Sequence, residues 1–156
     1  MRSRKKNSKT MTSIWHHTPD LSLLNQTAHT LLSTIGIEFT EIGDDFIRAR
    51  MPVDERTHQP FGILHGGASV ALAETLGSTG AFHCLDPARY QAVGIEINAN
   101  HVRSVRSGWV IGTTKPIHRG RTTQLWEIRI TDEADKLVCI ARITIAILEK
   151  TPAIMP

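Results

Sequence analysis

The chain has 156 residues, 40% of them hydrophobic and 21% charged, a composition that suits one globular domain with a core of its own. Mean hydropathy is −0.15, and no apolar run approaches the ~20 residues of a membrane helix, so no membrane partner is expected. The net charge of +3 and pI of about 9.1 suggest a polyanion binder. However, five of the 18 basic residues, Arg2, Arg4, Lys5, Lys6 and Lys9, crowd the first ten positions, and without them the net charge is −2. With 5% aromatic residues and no nucleic-acid motif, no nucleic-acid partner is expected either.

Residues 1–12 are polar, basic and aperiodic and read as a disordered tail, with no apolar core for a secretory signal. Met11 offers an alternative start. One domain is expected over 13–150, followed by a short tail at 151–156. Leu21, Leu24, Ala28, Leu31, Leu32 and Ile35 recur at helical spacing, which predicts a helix over 21–35 capped by Asp20 and stopped by Gly36. Residues 37–42 largely alternate, Gly43-Asp44-Asp45 turns, and 46–51 is extended again, which predicts a hairpin. Pro60 and Gly62 mark 54–64 as a loop. Residues 65–84 predict a long buried helix ended by Asp86-Pro87, and its many small residues let another backbone come close. Four strands follow at roughly 91–100, 108–117, 122–132 and 137–148, joined by tight turns and therefore antiparallel. One long buried helix with six strands predicts an α+β fold, a curved antiparallel sheet wrapped around the helix. Cys84 and Cys139 sit in apolar segments without metal-ligand spacing. They are expected to be reduced thiols in the cytoplasm, with no metal site.

Glu74 is the only Asp, Glu, Lys or Arg between Thr57 and Leu85. It lies either on a solvent face of the helix or in a cleft; the uncharged Val70 and Ser78 at i±4 weigh towards the cleft. His65-Gly66-Gly67 opens the same helix, where outward-pointing amides can bind an anion or a developing oxyanion, or simply make a turn. The amides and Glu74 are roughly 10–12 Å apart along the axis. Both reach one carbonyl only if two such helices run antiparallel, which favours a site shared between two chains. Gln59 and His65 flank the entry to the helix, as structural hydrogen-bonders or as groups that orient a carbonyl or a water. Ser78, four residues on, can hydrogen-bond Glu74. Finally, Ile97 to Trp126 holds no acid but carries Arg103, Arg106, Lys115, Arg119 and Arg121 with His101 and His118. This stretch is either a phosphate site or a solvated strand edge.

MPVDERTHQPFGILHGGASVALAETLGS within residues 48–80, VGIEINANHVRS at 93–104 and KPIHRG at 115–120 resemble the hotdog-fold acyl-CoA thioesterases of the PaaI-like branch. The resemblance spans roughly residues 13–148; the basic tail has no counterpart in it. It implies a central helix in a six-stranded antiparallel wrap and a homodimer with shared active sites, usually doubled to a homotetramer. It also implies Glu74 as the catalytic carboxylate and Gly66 as the amide that polarises the thioester carbonyl, supported by Gln59, His65 and Ser78. By the same resemblance, Gly94, the run His101, Val102, Arg103 and Ser104, and the run His118, Arg119, Gly120, Arg121, Thr122 and Thr123 contact the pantetheine and nucleotide of CoA. The second and third of these groups fall within the acid-free basic stretch.

The implied activity is hydrolysis of an acyl-CoA, with CoA part of the substrate and no separate cofactor. INANHVRSV at 97–105 resembles the branch acting on 1,4-dihydroxy-2-naphthoyl-CoA in menaquinone biosynthesis. THQPFG and AETLGS suit the enterobactin-proofreading branch equally well, in which the acyl group rides on an aryl carrier protein. Phe61, Leu64, Val70 and Phe82 are candidates for the acyl pocket. Two rivals remain. A hydroxyacyl dehydratase on the same fold needs a His paired with an acid, and His65 is available. A non-catalytic acyl-CoA-binding domain has no need of Glu74 beside the Gly66-Gly67 start.

Overall fold

Asp20 starts the first helix in the computed structural model, which describes residues 12–151. Its Oδ1 accepts hydrogen bonds from the Ser22 and Leu23 amides at 2.8 and 3.1 Å. The tail expected at 1–12 lies, apart from Thr12, outside the described residues, as do residues 152–156.

The single helix expected over 21–35 is instead two, α1 (Leu21–Leu24) and α2 (Leu31–Ile35). Asn25 accounts for the break. Its side chain accepts from the Phe39 amide at 2.8 Å and donates to the Phe39 carbonyl at 3.0 Å, pairing with that backbone much as a neighbouring strand would. His29 then takes a φ of 63°, outside the helical region. Of the six apolar positions, Leu21, Leu24, Leu32 and Ile35 turn to the core, whereas Ala28 and Leu31 are exposed. Gly36 ends α2 with a φ of 74°, as its position predicts. Asn25→Ala leaves both Phe39 backbone groups without these partners. It is expected to cost about 1–3 kcal/mol, measured as a lower midpoint in thermal unfolding.

The remaining elements are β1 (Glu38–Ile42), β2 (Ile47–Pro52), α3 (Gly66–His83), β3 (Tyr90–His101), β4 (Trp109–Arg119), β5 (Thr123–Asp132) and β6 (Leu137–Glu149). The six strands form one sheet in the order β1-β2-β4-β5-β6-β3, with every neighbouring pair antiparallel. Its inner face buries Met51, Val110, Trp126, Ile128 and Ile143 together with Leu72 and Leu76 of α3. The small residues of α3 and its surroundings set the closeness of this contact. A Cβ on Gly77 would stand 2.4 Å from Ile143 Cγ2, one on Gly80 2.7 Å from the Trp126 ring, and one on Gly112 of β4 2.5 Å from Leu76 Cδ1. Close packing here requires the missing side chains.

Strand β3 matters most for function. It runs alongside α3, pairs only with β6, and leaves its other edge open over 12 residues. Its register with β6 shifts between Gly94 and Glu96, which bends the strand at Ile95. Among the described residues no helix is long and apolar enough to cross a membrane.

Candidate active site

The loop before α3 is tied down so that the helix start is fixed. Thr57, buried, donates from Oγ1 to the Pro52 carbonyl at 2.7 Å, and the Thr57 carbonyl accepts from the His65 amide at 2.8 Å. Leu64 N–H reaches the Val105 carbonyl at 2.8 Å. His65 is the N-cap: its Nδ1 accepts from Gly67 N–H at 2.7 Å, and its carbonyl accepts from Ala68 N–H at 3.0 Å. The Gly66 N–H, first in the helix, has no hydrogen-bond partner among the described residues. It points out of the positive end of an 18-residue helix.

That amide opens into a cleft of about 410 Å³. Gln59, Leu64, Gly66 and Ser69 form one wall, and the run His101 to Ser104 forms another. The Oε1 of Gln59 accepts from the Phe61 amide, which leaves its own N–H donors for a ligand. His101 comes so close to the helix start that a Cβ on Gly66 would lie 2.8 Å from its Nε2. The His65 ring is elsewhere, beside Leu31, Thr57 and Ala68 in a second, smaller cleft. Ser69, Ile63 and Val138 also line the first cleft and were not singled out by sequence reasoning. Ser69 alone carried a signal, one helical turn after Gly66 on the same face.

Glu74 lies two turns further along α3, half-buried. It forms no ion pair among the described residues. Ser78 Oγ donates to its Oε1 at 3.1 Å. Gly94 of β3 faces the same oxygen; a Cβ there would stand 2.7 Å from it. The carboxylate is therefore held between α3 and β3 rather than displayed on a solvent face.

The third group, His118 to Thr123, spans the end of β4, the turn at 120–122 and the start of β5, closed by Gly120 N–H to the Thr123 carbonyl at 2.9 Å. Arg119 lies beside Cys84, the C-cap of α3. The turn and the Gly66 cleft therefore occupy opposite ends of a helix about 27 Å long, and one chain does not bring them together. The acyl-pocket candidates are scattered too. Leu64 lines the cleft and Val70 is half-buried, but Phe61 is 84% exposed and Phe82 packs edge-on against His17 at the far end of α3. Both cysteines are free, and burial pushes both thiols up from their ordinary pKa.

The thioesterase superfamily model matches residues 61–139. The 1,4-dihydroxy-2-naphthoyl-CoA hydrolase of Escherichia coli is 49% identical over 136 residues, 86% of this chain and 99% of that protein. The proofreading thioesterase EntH of Cronobacter turicensis is 48% identical over 136 residues, 86% of this chain and 98% of that one. A crystal structure of a mutant thioesterase from Pseudomonas aeruginosa superposes with a TM-score of 0.87 at 48% identity, covering 88% of this chain and all of the other. The chain belongs to the thioesterase superfamily, and its sheet wrapped on α3 is that superfamily's hotdog fold.

Proposed function

We propose that this protein is a cytoplasmic thioesterase that hydrolyses an aryl-CoA to the free acid and CoA, in a homodimer whose two active sites are shared. The observation that carries the proposal is a pair of groups on one helix: the Gly66 N–H, without a hydrogen-bond partner among the described residues, and the Glu74 carboxylate, without an ion-pair partner among them. The Gly66 amide and the helix dipole stabilise charge on the thioester oxygen. Glu74 either activates a water or attacks directly to give an anhydride, and Ser78 holds it in place. Gln59 orients the carbonyl through its free amide donors. No cofactor is required, because CoA arrives as part of the substrate. For dehydration His65 would need an acid beside it; it forms no ion pair among the described residues, and its Nδ1 caps the helix.

The open edge of β3 supports the dimer. It carries Val93 and Ile95, 43% and 62% exposed, and a long free edge with apolar side chains favours pairing with another strand. A second copy paired there about a two-fold axis sets the two α3 helices antiparallel. Gly66 of one chain then approaches Glu74 of the other, and the two basic runs, separate in one chain, line one CoA path. The resemblance extends this to a tetramer built from two such dimers.

The test is a panel of aryl- and fatty acyl-CoAs and an aryl-loaded carrier protein, ranked by kcat/KM with thiol release as the readout. Aryl-CoAs are expected to lead. A lead for the carrier protein would overturn the CoA assignment, and binding without thiol release would overturn the enzyme. Arg103→Ala is expected to raise KM for CoA esters roughly three- to tenfold with little change in kcat, measured by steady-state kinetics on the best substrate.

A further inference from the structure

The segment just after the basic tail is an extended strap that crosses from the β1–β2 turn to the C-terminal end of α3. Ile14 N–H donates to the Asp44 carbonyl at 2.9 Å, and Trp15 Nε1–H donates to the Gly43 carbonyl at 2.8 Å. The Trp15 ring stacks on Trp126, with centroids 6.3 Å apart and planes within 10°. Trp126 is itself fully buried and fixed by Nε1–H to Gln124 Oε1 at 2.8 Å. At the other end His16 N–H reaches the His83 carbonyl at 2.9 Å. Between these anchors, the Ile14 carbonyl accepts from Arg119 Nη1 at 3.2 Å.

We infer that Trp15 is a positioning residue for the nucleotide end of the substrate, acting through the Ile14 carbonyl on the Arg119 guanidinium. The inference rests on the reading that the turn 118–123 meets the CoA phosphates. A carboxylate beside Arg119 would orient the guanidinium but also offset its charge. A backbone carbonyl orients it and leaves the full charge, with most of its five N–H donors, for an anion. Among the described residues Arg119 forms no ion pair, whereas Lys115 on the same strand pairs with Asp45. Holding an exposed arginine in place before binding removes part of the side-chain entropy that binding would otherwise cost.

The test compares benzoyl-CoA with S-benzoyl-N-acetylcysteamine, which lacks the nucleotide, in the full chain. Trp15→Ala is expected to raise KM for benzoyl-CoA roughly three- to tenfold, with kcat within about twofold and the short thioester unaffected. In an Arg119→Ala background the same substitution should add no further rise. Trp15→Phe, which keeps the stacking but lacks the donor to Gly43, should fall between wild type and Trp15→Ala and guards against a variant that does not fold. Equal effects on both thioesters, or an undiminished effect without Arg119, would make the strap merely structural and overturn the inference. If Arg119→Ala itself leaves KM for benzoyl-CoA unchanged, the nucleotide reading fails and takes the inference with it. If Arg119→Ala raises KM and neither Trp15 variant does, the inference fails alone.

Discussion

Glu74→Gln is expected to lower kcat by about 10²–10⁴-fold, with KM for the best acyl-CoA within about twofold of wild type. The substitution preserves shape, and the amide oxygen can still accept from Ser78 Oγ, which lies 3.1 Å from the present carboxylate. No ion pair is broken, because Glu74 forms none among the described residues. Thermal stability should therefore stay close to wild type, and the loss should fall on turnover alone. The amide can neither take a proton from water nor attack a thioester. Near-wild-type turnover on every thioester that the native protein cleaves would remove Glu74 from the mechanism. After a single wild-type turnover in ¹⁸O-labelled water, label in the Glu74 carboxylate would establish the anhydride route by attack of water on the Glu74 side of the anhydride, since a general base delivers water oxygen only to the product acid.

Most of the fold can be read from local pattern. The strands β3 to β6 are strand-like runs separated by turn residues, and α3 is bounded by His65-Gly66 and Asp86-Pro87. What could not be read is what depends on distant partners. The break after α1 is made by Asn25 pairing with Phe39, a backbone 14 residues away, while the apolar spacing across the break stays helical. The bend at Ile95 depends on β6.

The site divides along the same line. Glu74 stood out because it is a lone charge in an apolar stretch, and Gly66 because glycines open a helix there. The sequence left His65 open between a structural hydrogen-bonder and a group that orients a carbonyl or a water; only the geometry shows its Nδ1 spent on Gly67. Nor does the spacing between Ser104 and His118 reveal that their groups lie at opposite ends of α3. Trp15 carried no periodic signal at all, since its partners, Gly43 and Trp126, are far along the chain.

Gly66→Pro isolates the amide from everything else at the helix start. Proline is favoured at the first helical position, where its missing N–H serves no helical bond. His65, before it, has φ −72° and ψ 131°, the extended conformation that a residue preceding proline needs. The nearest side chain a Cβ would meet is the tip of His101, an exposed and flexible group. Stability is thus expected to hold, or to rise slightly as the unfolded chain loses freedom, while kcat falls by about 10²–10³-fold. Gly66→Ala places the same Cβ against His101 but keeps the N–H, and should retain most of the turnover. Equal losses in the two variants would assign the effect to His101 and not to the amide. The pair also tests the shared site. If Glu74 of one chain works with Gly66 of the other, a dimer of one Glu74→Gln chain and one Gly66→Pro chain contains one site with both groups intact. Random mixing of the two inactive proteins should then restore about a quarter of wild-type activity. If both groups served the same chain's site, mixing would restore nothing.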